Sequence, residues 1–142
     1  DGDLWRELCP GKAGFIGRDE WLQNMLDAVD VFCRGNVITT LVVGAELVPP
    51  LGFRTREQAI RSDLEGTDWL LDHGVVPIYS PFSPAFSSVY DKASAPDIHY
   101  FLQLNLEAAR RRRQHNLPVN TDHVCHRCTY AQLEADLDRA GV

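Results

Sequence analysis

The stretch NVITTLVVGAE, Asn36 to Glu46, decides how the chain is read. Its β-branched residues do not alternate with polar ones as a half-exposed strand requires. The run therefore predicts a strand buried on both faces, as in a parallel sheet covered by helices. It ends in Gly44, Ala45 and Glu46 at the carboxyl end of that strand, the edge on which α/β proteins build ligand sites. A glycine there lets a ligand approach the backbone, and the neighbouring carboxylate can accept hydrogen bonds from a ribose or an amine. The plainer alternative is a turn glycine beside a solvated glutamate.

Upstream, RDEWLQNMLDAVDVF spans Arg18 to Phe32 and places Leu22, Met25, Leu26, Val29 and Phe32 on one helical stripe, with Gly35 as the stop. Downstream, LVPPLGF is a loop, because its two prolines remove donors and restrict their neighbours. A second helix follows in TREQAIRSDLEGTDWLLDHG, with Thr55 as N-cap, Ile60, Leu64, Thr67 and Leu71 inward, and Gly74 just past the end. VVPIYS has the length of a strand, although Pro77 cannot donate to a central ladder. A loop rich in Pro, Ser and Ala then leads to a third helix from about Asp97 to His115, with Ile98, Phe101, Leu102, Leu106 and Ala109 facing inward, and TYAQLEADLDRA closes as a short helix. This order predicts βαβ units with parallel strands and right-handed crossovers. Two strands alone cannot bury both faces, so the chain either pairs with itself or belongs to a larger barrel or open sheet.

The second strand delivers PIYSPFSP to the same edge as Glu46. Its prolines stiffen the backbone, while Tyr79, Ser80, Phe82 and Ser83 offer a flat apolar surface with hydroxyls, suited to an aromatic ring such as adenine. A packed loop without a ligand is the alternative. In HVCHRC, Cys125 and Cys128 have the spacing that turns two thiolates toward one cation, and His123 or His126 can complete a tetrahedral zinc site. A redox pair and two buried thiols are the competing readings. Arg110 to Arg113 form a cationic run in the last turns of the third helix, read as a solvated face favoured by the helix dipole.

A formal charge of −6 over 142 residues argues against nucleic acid as a partner. No stretch approaches the ~18 consecutive apolar residues of a membrane span, no signal peptide is visible, and four cysteines are too few for a disulfide scaffold, so the expected setting is cytoplasmic. The chain starts at Asp1, and DGDLWREL reads as the interior of something longer; the expectation is a fragment or processed chain.

Three segments in order, LCPGKAGFIGRDEWLQNMLDAVDVF, GNVITTLVVGAE and DWLLDHGVVPIYSPFSP, resemble the C-terminal half of radical S-adenosylmethionine (radical SAM) enzymes, particularly the biotin-synthase-like group, and CHRCTY resembles a tail found in some members. The resemblance implies an α/β fold in which residues 1–118 form the βα units of a partial (half) TIM-type barrel and 119–142 a short Cys-containing tail. It implies S-adenosylmethionine as cofactor, a four-iron (4Fe-4S) cluster, and a 5′-deoxyadenosyl radical acting on a small-molecule substrate. It places Gly44 and Glu46 against the cofactor and Ile78, Tyr79, Ser80 and Phe82 near its adenine. The family's CxxxCxxC cluster motif does not occur here, so the chain alone is expected to be inactive and to need the missing N-terminal half of the barrel. Isolated, it is expected to form a homo-oligomer through its open sheet edge. His123, Cys125, His126 and Cys128 are then ligands for zinc or an auxiliary cluster. The competing expectations are a non-catalytic α/β module with a metal-binding or interaction tail, and a small redox protein.

Overall fold

A computed structural model describes residues 2–49, 52–84, 90–117, 136–137 and 139–141. Among them the fold is mixed α/β, with a two-stranded parallel sheet and five α-helices: α1 (Gly2–Leu8), α2 (Pro10–Phe15), α3 (Arg18–Phe32), β1 (Val37–Val43), α4 (Arg56–Asp72), β2 (Val75–Pro81) and α5 (Ile98–Gln114). No helix among the described residues is long and apolar enough to cross a membrane. His123, Cys125, His126 and Cys128 lie outside the described residues, as do the 118/119 boundary and most of the expected closing helix.

The strands pair in parallel from Val37↔Val75 to Val43↔Pro81, as the βαβ order predicts. Their burial differs from the prediction. Val37, Thr39, Leu41 and Val43 turn one way, Ile38, Thr40 and Val42 the other, and the second set is exposed, Ile38 at 43% and Val42 at 56%. The reason is that among the described residues the helices cover β1 from one side, while on the other face only the start of β2 is covered, Val76 packing on Leu71 and Leu117. Val37, Leu41 and Val75 meet Trp21, Leu22, Met25, Val29 and Leu70, while Val43 and Tyr79 join Ala59, Ile60, Leu64, Phe101, Leu104 and Ala108. A strand covered from one side keeps a period of two whatever the hydrophobicity of its outer residues. Pro77 lies within β2 opposite Thr39; a strand with a partner on one side can carry a proline whose missing donor falls on the other.

Local signals place the helix ends. Thr55 Oγ1 accepts the Gln58 N–H (3.2 Å) at the start of α4, and Asp97 Oδ1 accepts the His99 N–H (2.8 Å) at the start of α5. Gly74 follows α4 at φ +83°, where a side chain would run into Arg34, whose guanidinium donates to the carbonyls of Leu71 and Asp72. The stop of α3 comes earlier than Gly35: Cys33 takes the left-handed turn at φ +71°.

The predicted inward face of α5 is out of phase. Phe101 and Ala109 are buried, but Ile98 and Leu102 are exposed, and the packed residues include Tyr100, Leu104, Asn105, Ala108 and Arg112. The arginine run is likewise not uniformly solvated. Arg112 is buried and donates to the Leu117 carbonyl (2.7 Å), Arg111 pairs with Asp68 of α4, and Arg110 pairs with Glu107.

Leu104 is fully buried between α5 and the sheet, whereas Val42 faces outward. Leu104→Ala should cost about 2–5 kcal/mol in urea unfolding, and Val42→Thr within roughly 0.5 kcal/mol of nothing. Equal losses would show that the outer face of β1 is covered.

Candidate functional site

The turn after β1 is built around Gly44. Its φ of +96° is one that side chains avoid, and an added Cβ would stand 2.5 Å from the Pro96 ring. The close approach that the sequence assigned to a ligand is made instead by the loop from β2 to α5. The turn lets the next residues double back, so that both oxygens of Glu46 accept the Gly44 N–H, at 2.7 and 2.8 Å. The Phe53 N–H closes the loop on the Glu46 carbonyl (2.6 Å).

Glu46 is only 7% exposed, and its carboxylate faces the interior. There the Tyr100 hydroxyl of α5 donates to Oε1, and the same hydroxyl lies 2.7 Å from Oδ2 of Asp63 on α4. Burial, reinforced by the nearby Glu46 charge, pushes the Asp63 carboxyl up to about 8. Burial and then the Asp63 charge raise the Tyr100 phenol as well, so it keeps its proton throughout the ordinary pH range. Beside them, Thr67 Oγ1 donates to the Asp63 carbonyl (2.7 Å) and so receives its remaining hydrogen bond from the Tyr79 hydroxyl. At the rim, Arg56 pairs with Asp97 at 2.7 Å, tying the start of α4 to the start of α5. The Asp97 carboxyl is held below its usual range, first by the His99 N–H and then by Arg56.

The residues expected at the ligand edge therefore separate into two sets. Glu46 and Tyr79, the latter 1% exposed, are bound inside the protein by Tyr100 and Thr67. Ile78 and Ser80 belong to the other, open face with Thr40 and Val42, and are half-buried. Phe82 extends the ladder by giving its N–H to the Val43 carbonyl (2.8 Å), and its ring meets Tyr90 edge-on at 6.3 Å. Asp63, Thr67 and Tyr100 were not singled out in the sequence as site residues. Each sits within a regular helix, where nothing in the local pattern announces a partner 37 or 54 positions away.

Among the described residues no three His, Cys, Asp or Glu side chains are grouped to hold a metal. Cys9 and Cys33 are free thiols, and neither stands in a cluster motif. The described residues therefore do not fit an iron–sulfur cluster.

Gly44→Ala keeps every hydrogen bond of the turn but adds a Cβ at a left-handed φ against Pro96. It should destabilise the fold by roughly 2–5 kcal/mol in urea unfolding, with an unchanged dependence on denaturant. A loss under about 0.5 kcal/mol would mean that the loop carrying Pro96 swings away freely.

No protein-family model, curated protein or solved structure matches the chain.

Proposed function

We propose that this chain forms βα units of a radical SAM barrel of the biotin-synthase-like type, with residues 1–118 contributing to the partial barrel and the open sheet face turned to its interior. The observation that carries this reading is the outer face of β1, where Ile38 and Val42 are exposed among the described residues while helices cover the inner face; at the start of β2 that outer face is closed by Val76 on Leu71 and Leu117. A doubly wound fold needs helices on both faces, whereas a βα barrel keeps its helices outside and its other face for the interior. The turn at Gly44 and the residues Ile78, Ser80 and Phe82 then stand at the carboxyl ends of adjacent parallel strands, where barrel enzymes bind ligands.

In such a barrel S-adenosylmethionine and a 4Fe-4S cluster held by the other half would supply radical chemistry toward a small substrate; the described residues of this chain hold no ligand set for a cluster. The cluster ligands belong to the N-terminal half of the barrel, so this chain alone does not catalyse. Its part is to present the cofactor with an apolar wall, Ile78 and Phe82, and with the Ser80 hydroxyl. Glu46 and Tyr79 act behind that wall, holding the turn and β2 in place. The setting is cytoplasmic, where thiols remain reduced, and His123, Cys125, His126 and Cys128 are reserved for zinc or an auxiliary cluster.

Titrating the chain with S-adenosylmethionine up to about 5 mM, a range that still detects weak binding, should shift the amide resonances of Gly44, Ile78, Ser80 and Phe82 together. Perturbation confined to other residues, or none, would remove this edge as the cofactor contact. The uncovered face also predicts association. The isolated chain should sediment as a dimer or larger species at tens of micromolar, and Val42→Lys, placing a charge on that face, should give a monomer of nearly unchanged stability. A wild-type monomer would count against the open face.

A further inference from the structure

A hydrogen count at the end of β1 leaves the buried cluster one proton short. The phenol of Tyr100 has a single hydrogen, yet its oxygen is within hydrogen-bond distance of two carboxyl groups, Glu46 from the turn and Asp63 from α4. With both carboxyls ionised, one of these contacts would set a lone pair of the phenol against an anionic oxygen in the interior, a costly arrangement. One further proton repairs it. Glu46 already accepts the Gly44 N–H on both oxygens and is suited to carry the negative charge; among the described residues Asp63 receives no backbone N–H, stands beside the Glu46 carboxylate and is suited to carry the proton. We propose that Asp63, Tyr100 and Glu46 form a proton-dependent latch, a directed chain in which the Asp63 carboxylic acid donates to Tyr100, Tyr100 to Glu46, and Glu46 receives Gly44. The latch fastens the turn after β1 to α4 and α5.

Losing the Asp63 proton reverses one link. Two carboxylates then face one phenol, and the turn is released from the two helices that position it. The groups facing Asp63 are Glu46 from the turn and Tyr100 from α5. From β2, Tyr79 reaches the Asp63 carbonyl through Thr67, and the Arg56–Asp97 pair lies at the start of α4 and α5. The sign follows from a carboxyl raised on folding. The contribution is full below the ordinary carboxyl value near 4, and it declines as pH rises through about 8. Mildly alkaline conditions therefore loosen the Gly44 turn while the rest of the sheet stays paired. The latch uses this chain's own residues and does not depend on what binds at the turn.

The full chain, labelled with ¹³C and ¹⁵N, is titrated from pH 5 to 10 while the Asp63 side-chain carboxyl resonance and the Gly44 amide are followed. The expected result is a common midpoint near 8 for both, with protection of the Gly44 amide falling about tenfold beyond ordinary base catalysis. In Asp63→Asn, whose amide donates permanently to Tyr100, the Gly44 transition should vanish. Tyr100→Phe, which keeps both carboxyls but cuts the chain, should uncouple Gly44 from the Asp63 titration. An Asp63 midpoint near 4 would overturn the latch, and so would a Gly44 transition that survives in either variant.

Discussion

The burial of one carboxylate organises the end of the sheet on which everything else converges. Moving Glu46 out of water is costly unless its oxygens are satisfied, and the chain satisfies them from two distant places. The Gly44 N–H is available only because φ at Gly44 is left-handed, and the Tyr100 hydroxyl only because α5 lies against α4 in one register. Asp63 then locks the same phenol to α4. Turn, α4 and α5 are thus fixed by a single polar knot rather than by apolar contact alone, and the knot sits at the strand end where a βα architecture exposes its ligand edge.

Much of this fold is written locally. Arg18 to Phe32 has the helical period that forms α3, and Thr55, Asp97 and Gly74 mark helix ends by chemistry that acts over one turn. Parallel pairing follows from the length of the connection through α4. What the sequence hides is non-local. Ile38 and Val42 look like core residues and face outward, because covering a face depends on where helices pack rather than on the strand's own composition. α5 hides its phase for the opposite reason: Tyr100, Asn105 and Arg112 look like surface residues and are buried through partners that only the folded chain supplies. The short helices α1 and α2, either side of Cys9, carry no apolar period of their own that the sequence reading could use.

The candidate site divides along the same line. Gly44 and Glu46 are legible because a glycine and an acid at a strand's carboxyl end are a local signal. Their partners Asp63, Thr67 and Tyr100 are not, since α4 and α5 carry them at ordinary helical spacing. Tyr79 is legible as an aromatic at the edge, but strand alternation turns it inward to Thr67 and leaves Ile78 and Ser80 on the open face.

That division bears on how a ligand edge of this kind works. If Glu46 faced outward, its charge would be spent on solvent or ligand and the turn would lose its side-chain ties to Gly44 and to α5, keeping its backbone bonds and the Pro96 contact. Facing inward, it lends its acceptors to the fold and leaves the outer surface to Ile78, Ser80 and Phe82, residues with few polar atoms to desolvate. An apolar wall favours a flat ring by burial without demanding directional bonds. Position must then come from a rigid backbone, and the Gly44–Glu46–Tyr100 knot provides it. The acid nearest the proposed ligand acts through geometry, and its chemistry is directed at the protein itself.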